Sequence, residues 1–125
     1  MRTVEIPREA WTRTLDEFSA LHEGWLVSLD VLDATMGAQP EVENLPLLGV
    51  SADRADGDGA ITISAGRSEA GHITHTIHAP TRVQIERRED GADVALQIES
   101  AGGARAILRF RIAALPETVD GVIHR

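Results

Sequence analysis

From Trp25 to Ile112 the chain is punctuated roughly every ten residues by Gly, Pro or Asp, and the runs between the breaks alternate apolar with polar side chains. Such runs are too short for helices, and the breaks are too short for the crossovers that parallel strands need. Successive runs must therefore pair mostly as antiparallel neighbours. Trp25, Val27, Leu29 and Val31 share one face of the first run. Residues 38–44 read as a return strand that Pro40 would confine to an edge, and residues 47–52 as a further strand entered through Pro46. Residues 60–64 follow a polar break at Asp53–Gly59. Val83 and Ile85, then Val94, Leu96 and Ile98, form the faces of two strands joined at Asp90-Gly91, a strong hairpin signal. Gly102-Gly103 turns the chain into Ala106, Leu108, Phe110 and Ile112.

The N-terminal segment has a different period. Val4 and Ile6 suit a short extended arm, and Pro7 sits where a first helical residue belongs, because its missing N–H has no partner there. Trp11, Leu15, Phe18 and His22 recur at helical spacing, and Gly24 is the natural stop. The expectation is an α+β domain over residues 1–112. One helix at about residues 7–22 packs on a mostly antiparallel sheet or small barrel of about seven strands, and residues 113–125 form a C-terminal tail.

At 125 residues the chain can bury a core without staples, and having no cysteine it makes no disulfide, thiolate site or thiol nucleophile. All twelve of its basic residues are Arg, and the net charge is −8. An acidic chain whose aromatics are Trp11, Phe18, Trp25 and Phe110 lacks both the basic footprint and the stacking platform of a nucleic-acid binder. No run is long and apolar enough to span a membrane, and no leader pattern opens the chain, so a cytoplasmic protein is expected.

The densest chemistry lies in His72-Ile73-Thr74-His75-Thr76-Ile77-His78. On a helix these histidines would share a face. The β-branched neighbours, and the bracketing Gly71 and Pro80, make the run a strand instead. The period of two then splits the triad. Ile73, His75 and Ile77 share one face, and His72, Thr74, Thr76 and His78 the other. His72 and His78 stand about 20 Å apart along such a strand, too far for one ion. No metal or other cofactor is expected. Asp56-Gly57-Asp58-Gly59 echoes a calcium loop, but Ala65 stands where a bidentate Glu is required. Gly66-Arg67-Ser68-Glu69-Ala70-Gly71 has one residue too many for a nucleophile elbow, and strand leads into strand there.

Two candidate sites remain. Arg105, Arg109 and Arg111 form an outward row with Ile107 at its centre, either matched by cross-strand acids or free to grip a partner or a second copy. His75, with Gln39 or His22, is the alternative: a small-ligand or metal pocket between helix and sheet, in a binding protein or an enzyme.

An ordered set of residues also carries a resemblance. It comprises Ile6-Pro7-Arg8, Trp11 and Phe18, Gly24-Trp25, Gly37-Ala38-Gln39, Leu45-Pro46-Leu47 with Gly49, Thr74-His75-Thr76-Ile77 before Pro80, and Leu108-Arg109-Phe110. Together they resemble a small bacterial family, domain of unknown function family 5335, over about residues 3–112 and into Leu115-Pro116-Glu117. The resemblance implies no activity, cofactor or catalytic residue. With no catalytic constellation in view, the leading expectation is a non-catalytic binding or protein-interaction module.

Overall fold

The computed structural model describes residues 1–33, 35–53, 59–67 and 71–111. Asp56-Gly57-Asp58 of the calcium-like turn, Ser68 to Ala70 of the elbow-like turn, Ile112 and the whole tail lie outside them.

One helix packs on a single eight-stranded antiparallel sheet. The strands are β1 (Arg2–Ile6), β2 (Leu26–Asp33), β3 (Gly37–Asp53), β4 (Ala60–Gly66), β5 (His72–His78), β6 (Pro80–Arg87), β7 (Asp93–Ser100) and β8 (Arg105–Phe110). Their spatial order is β1-β6-β7-β8-β2-β3-β4-β5, so among the described residues β1 and β5 are the two edges and the sheet does not close into a barrel. Consecutive β5 and β6 diverge at a corner where Ala79 takes a positive φ of 51°.

The expected start of the helix shifts. Pro7 precedes a 3-10 turn at Arg8–Ala10, and the α-helix α1 runs Trp11–His22. Trp11 Nε1 donates to Ile6 O at 2.9 Å, and the Arg8 guanidinium lies 4.4 Å from the Trp11 ring while donating to Pro80 O. These contacts fix the entry angle, so the first turn is tightened rather than α-helical. Trp11, Leu15, Phe18 and His22 are buried as the spacing requires, and Gly24 (φ 89°) ends the helix.

The two strands expected at 38–44 and 47–52 are one bent strand, β3. Its first half pairs with β2 as far as Pro46, and its second half pairs with β4. Past Pro46 its other side is free of β2, and the helix end takes over. Gly24 N–H donates to Leu47 O, Leu47 N–H to Trp25 O, and Val50 N–H to Ser19 Oγ at 2.7 Å. The helix thus satisfies backbone that a strand would otherwise have to pair.

The core lies on one face of the curled sheet, under α1. It joins Val27, Leu29, Leu47, Ile61, Ile63, Val83, Ile85, Leu96, Ile98 and Leu108 to the helix stripe. The alternation read from the sequence places most of these correctly.

Candidate functional site

His22 is the one buried polar residue among the described residues. Its ring sits against Phe18, Trp25 and Phe110, with centroids 4.4, 4.5 and 4.6 Å away. Nδ1 lies 2.8 Å from Phe18 O, and Nε2 lies 3.3 Å from Asp93 Oδ2. Arg87 Nε donates to the other Asp93 oxygen at 2.8 Å. Burial alone would push the Asp93 carboxyl up. The hydrogen bonds from His22 and Arg87, and their positive charge, outweigh it and hold the carboxyl below its ordinary value of 3.8. An imidazole–carboxylate pair is the usual unit of general-base chemistry, but here both nitrogens are engaged and three rings enclose the imidazole. No face is left open to a substrate, and the cluster acts as a strut from α1 to β7.

The three residues expected to share a pocket are not brought together. His22 is in this aromatic core. Gln39 stands in the β2–β3 hairpin, opposite Val31, with Nε2 3.7 Å from Met36 Sδ. His75 stands on edge strand β5, opposite Ile63 and half-buried on the core side. No hydrogen bond, ion pair or ring contact joins any two of them among the described residues. There is a groove of about 760 Å³ beside the helix, but it lies on the other face of the sheet. Asp16 and Ser19 form one wall, Gly49, Thr62 and Ser64 the floor, and His72, not His75, reaches its far side. Among the described residues no group of three or more His, Asp or Glu side chains is placed to hold a metal ion.

The arginine row is largely matched. Arg109 Nη1 lies 2.9 Å from Asp30 Oδ2, and Arg105 Nη2 lies 3.7 Å from Glu99 Oε2. Gln97, between them on β7, donates to Glu86. Arg111 is exposed. Ile107 corrects the expectation of an exposed apolar centre: it is 6 % exposed, in register between Gln97 and Asp30. Its burial removes the apolar contact that a seam at this row needs.

What stands out instead is the outer edge of β5. It pairs with β4 over seven consecutive rungs, from Gly66↔His72 to Ala60↔His78, with no bulge. Its other side has no strand neighbour among the described residues. Ile73, His75 and Ile77 face the core side opposite Ala65, Ile63 and Ile61, as the period of two requires, yet Ile73 is 40 % exposed, since no described strand flanks β5 on that side. On the other face Thr74 Oγ1 lies 3.2 Å from Ser64 Oγ and Thr76 Oγ1 lies 3.5 Å from Thr62 Oγ1, a row of hydroxyls running to the edge. The sequence carried a second signal here besides the period: residues 72 to 78 read the same in both directions.

Similarity to known proteins agrees with the ordered residue set. A family model described as a family of unknown function, DUF5335, matches residues 2–118. An uncharacterized protein from Aquifex aeolicus (strain VF5) is 35 % identical over 118 residues, covering 94 % of this chain and 100 % of the relative. No solved structure matches the chain. With a family model spanning nearly its whole length and a full-length relative at that identity, the chain belongs to the DUF5335 family of unknown function.

Proposed function

We propose that this protein is a non-catalytic interaction module that acts by accepting a partner strand along the open edge of β5. The observation that carries this reading is how β5 differs from the other free strand sides, among them the side of β3 residues 37–45 away from β2, which carries Pro40, Glu41 and Glu43. The freed side of β3 is covered by α1 through Ser19 and Gly24. The β1 edge carries Arg2 and Glu5, the latter 3.7 Å from Arg82, and is followed at once by Pro7. Charges, prolines and covering helices are the devices that keep sheet edges from pairing. Among the described residues strand β5 has none of them. It contains no Lys, Arg, Asp, Glu or Pro and no bulge, and four of its seven residues are β-branched, Ile73, Thr74, Thr76 and Ile77. Main-chain hydrogen bonds along such an edge supply affinity, and the alternating side chains supply selectivity. A cysteine-free chain that makes no use of disulfides suits a cytoplasmic setting for this role.

The test is selection of short strand-forming peptides on the purified protein, followed by amide hydrogen exchange at saturation. Protection confined to β5, lost on Ile73→Lys, is expected. Peptides that bind with no change at β5 would discard the edge as the working surface.

A further inference from the structure

Resting on the edge reading above, we infer that the strand β5 accepts is β5 of a second copy, paired antiparallel about a two-fold axis through His75. A two-fold interface must be self-complementary, because each residue meets the residue at the mirror position of the other chain. A generic strand meets this demand poorly. This one meets it at every rung, since residues 72 to 78 form a palindrome. His75 meets the partner's His75, Thr74 the partner's Thr76, Ile73 the partner's Ile77 and His72 the partner's His78.

The faces also match. Ile73 and Ile77 lie on the core side of the sheet, so pairing sets two isoleucine rungs beside the core and covers Ile73, which is 40 % exposed at the monomer's edge. On the outer side the hydroxyl row of Ser64–Thr74 and Thr62–Thr76 continues across the axis into the same row of the second copy. Such cross-strand Thr pairs and branched-aliphatic pairs are favourable neighbours in antiparallel sheets. Apart from the His–His rungs, no ionisable side chains meet across the seam. Shifting the register by one residue would set isoleucines against the hydroxyl face, so the palindrome selects this axis over its neighbours. The result is one continuous sheet of two eight-stranded halves.

The register can be read by charge exchange. Thr74→Lys with Thr76→Lys sets Lys against Lys on two rungs and raises the dimer dissociation constant at least roughly tenfold in sedimentation velocity. Thr74→Glu with Thr76→Glu does the same, whereas an equimolar mixture of the two doubly substituted proteins forms a heterodimer. Thr74→Lys with Thr76→Glu, at the same sites, sets Lys against Glu and stays dimeric, which separates loss of pairing from loss of fold. Because the chain has no other cysteine, His75→Cys gives a second reading. Residues on the axis stand about 4.5–5.5 Å apart at Cα, within disulfide range, so mild oxidation gives a covalent dimer. A monomeric wild type overturns self-pairing. So does a dimer that survives the Lys pair, or a His75→Cys dimer that does not cross-link. If peptides still protect β5 in a monomeric wild type, only the choice of partner has failed. If none do, the edge reading fails with it.

Discussion

His22, the last residue of α1, faces Asp93, the first residue of β7, with 3.3 Å between Nε2 and Oδ2. The helix sits beside β3, and β7 lies three places away in the sheet, so this contact ties the helix end across the core rather than to its nearest strand. Arg87, on the neighbouring β6, completes the tie from the other side of the carboxylate. Removing the Asp93 charge leaves two donors without their anion in a mostly enclosed place. Asp93→Asn keeps the shape and one acceptor, and should lower stability by about 2 kcal/mol at neutral pH. Urea denaturation followed by tryptophan fluorescence reads it directly, since Trp25 packs on His22. A change within a few tenths of a kcal/mol would mean that the ring cluster alone holds the helix.

The same carboxylate sets a pH dependence. Its folded-state value lies below the ordinary 3.8, so the unfolded chain binds that proton more tightly than the folded one. The stability Asp93 contributes is therefore fully present above its unfolded value and is lost as the pH falls through the folded value. Denaturation midpoints should be flat in this component at neutral pH and fall once the medium is more acid than about pH 4. Asp93→Asn should flatten that acid limb. Parallel acid limbs in the two proteins would assign the loss to other carboxylates.

Ser19 makes a narrower prediction. Its Oγ accepts from Val50 N–H at 2.7 Å and lies 2.8 Å from both Val50 O and Leu15 O, so its single proton goes to one of the two. Ser19→Ala leaves Val50 N–H facing a methyl group, a loss of about 1–2 kcal/mol. The Val50 amide should also exchange with solvent faster than its β3 neighbours. Unchanged protection at Val50 would show that another group takes over the bond.

The strands, the helix stripe and the splitting of the histidine triad were legible because each follows from a local period that burial enforces. The bent β3 was not. Pro40, Asn44 (φ 54°) and Pro46 look like breaks, and they stay inside one strand because β2 pairs its first half, β4 its second, and α1 takes the side that β2 leaves past Pro46. His22 was legible as inward-facing, but its partner Asp93 is joined to it by tertiary structure alone. Ile107 failed for a related reason: alternation assigns a face, and a sheet face can be buried without belonging to the main core. His75 was assigned the correct face, but the pocket built on it required Gln39 and His22 to converge there. They sit in a hairpin and in an aromatic cluster instead.

Gly66 gives the last prediction, because it decides whether β5 can form its ladder at all. A Cβ there would fall 2.5 Å from His72 Cα and 2.7 Å from Gly71 O, both backbone atoms that cannot swing aside. The glycine lets β4 approach the first residue of β5 at the Gly66↔His72 rung. Gly66→Ala must push the strands apart at that end, at a cost of roughly 1–3 kcal/mol. The far rung, Ala60↔His78, is anchored next to the Ala79 corner, where Ala101 N–H donates to Ala79 O at 2.9 Å. The damage should therefore be graded. Of the alternate β5 amides that bond to β4, those at the Gly66 end should exchange faster while those at the Ala60 end stay protected. Uniform exchange along β5 would instead mean that the strand opens as one unit, with its hold on β4 set by the whole ladder rather than by this close approach.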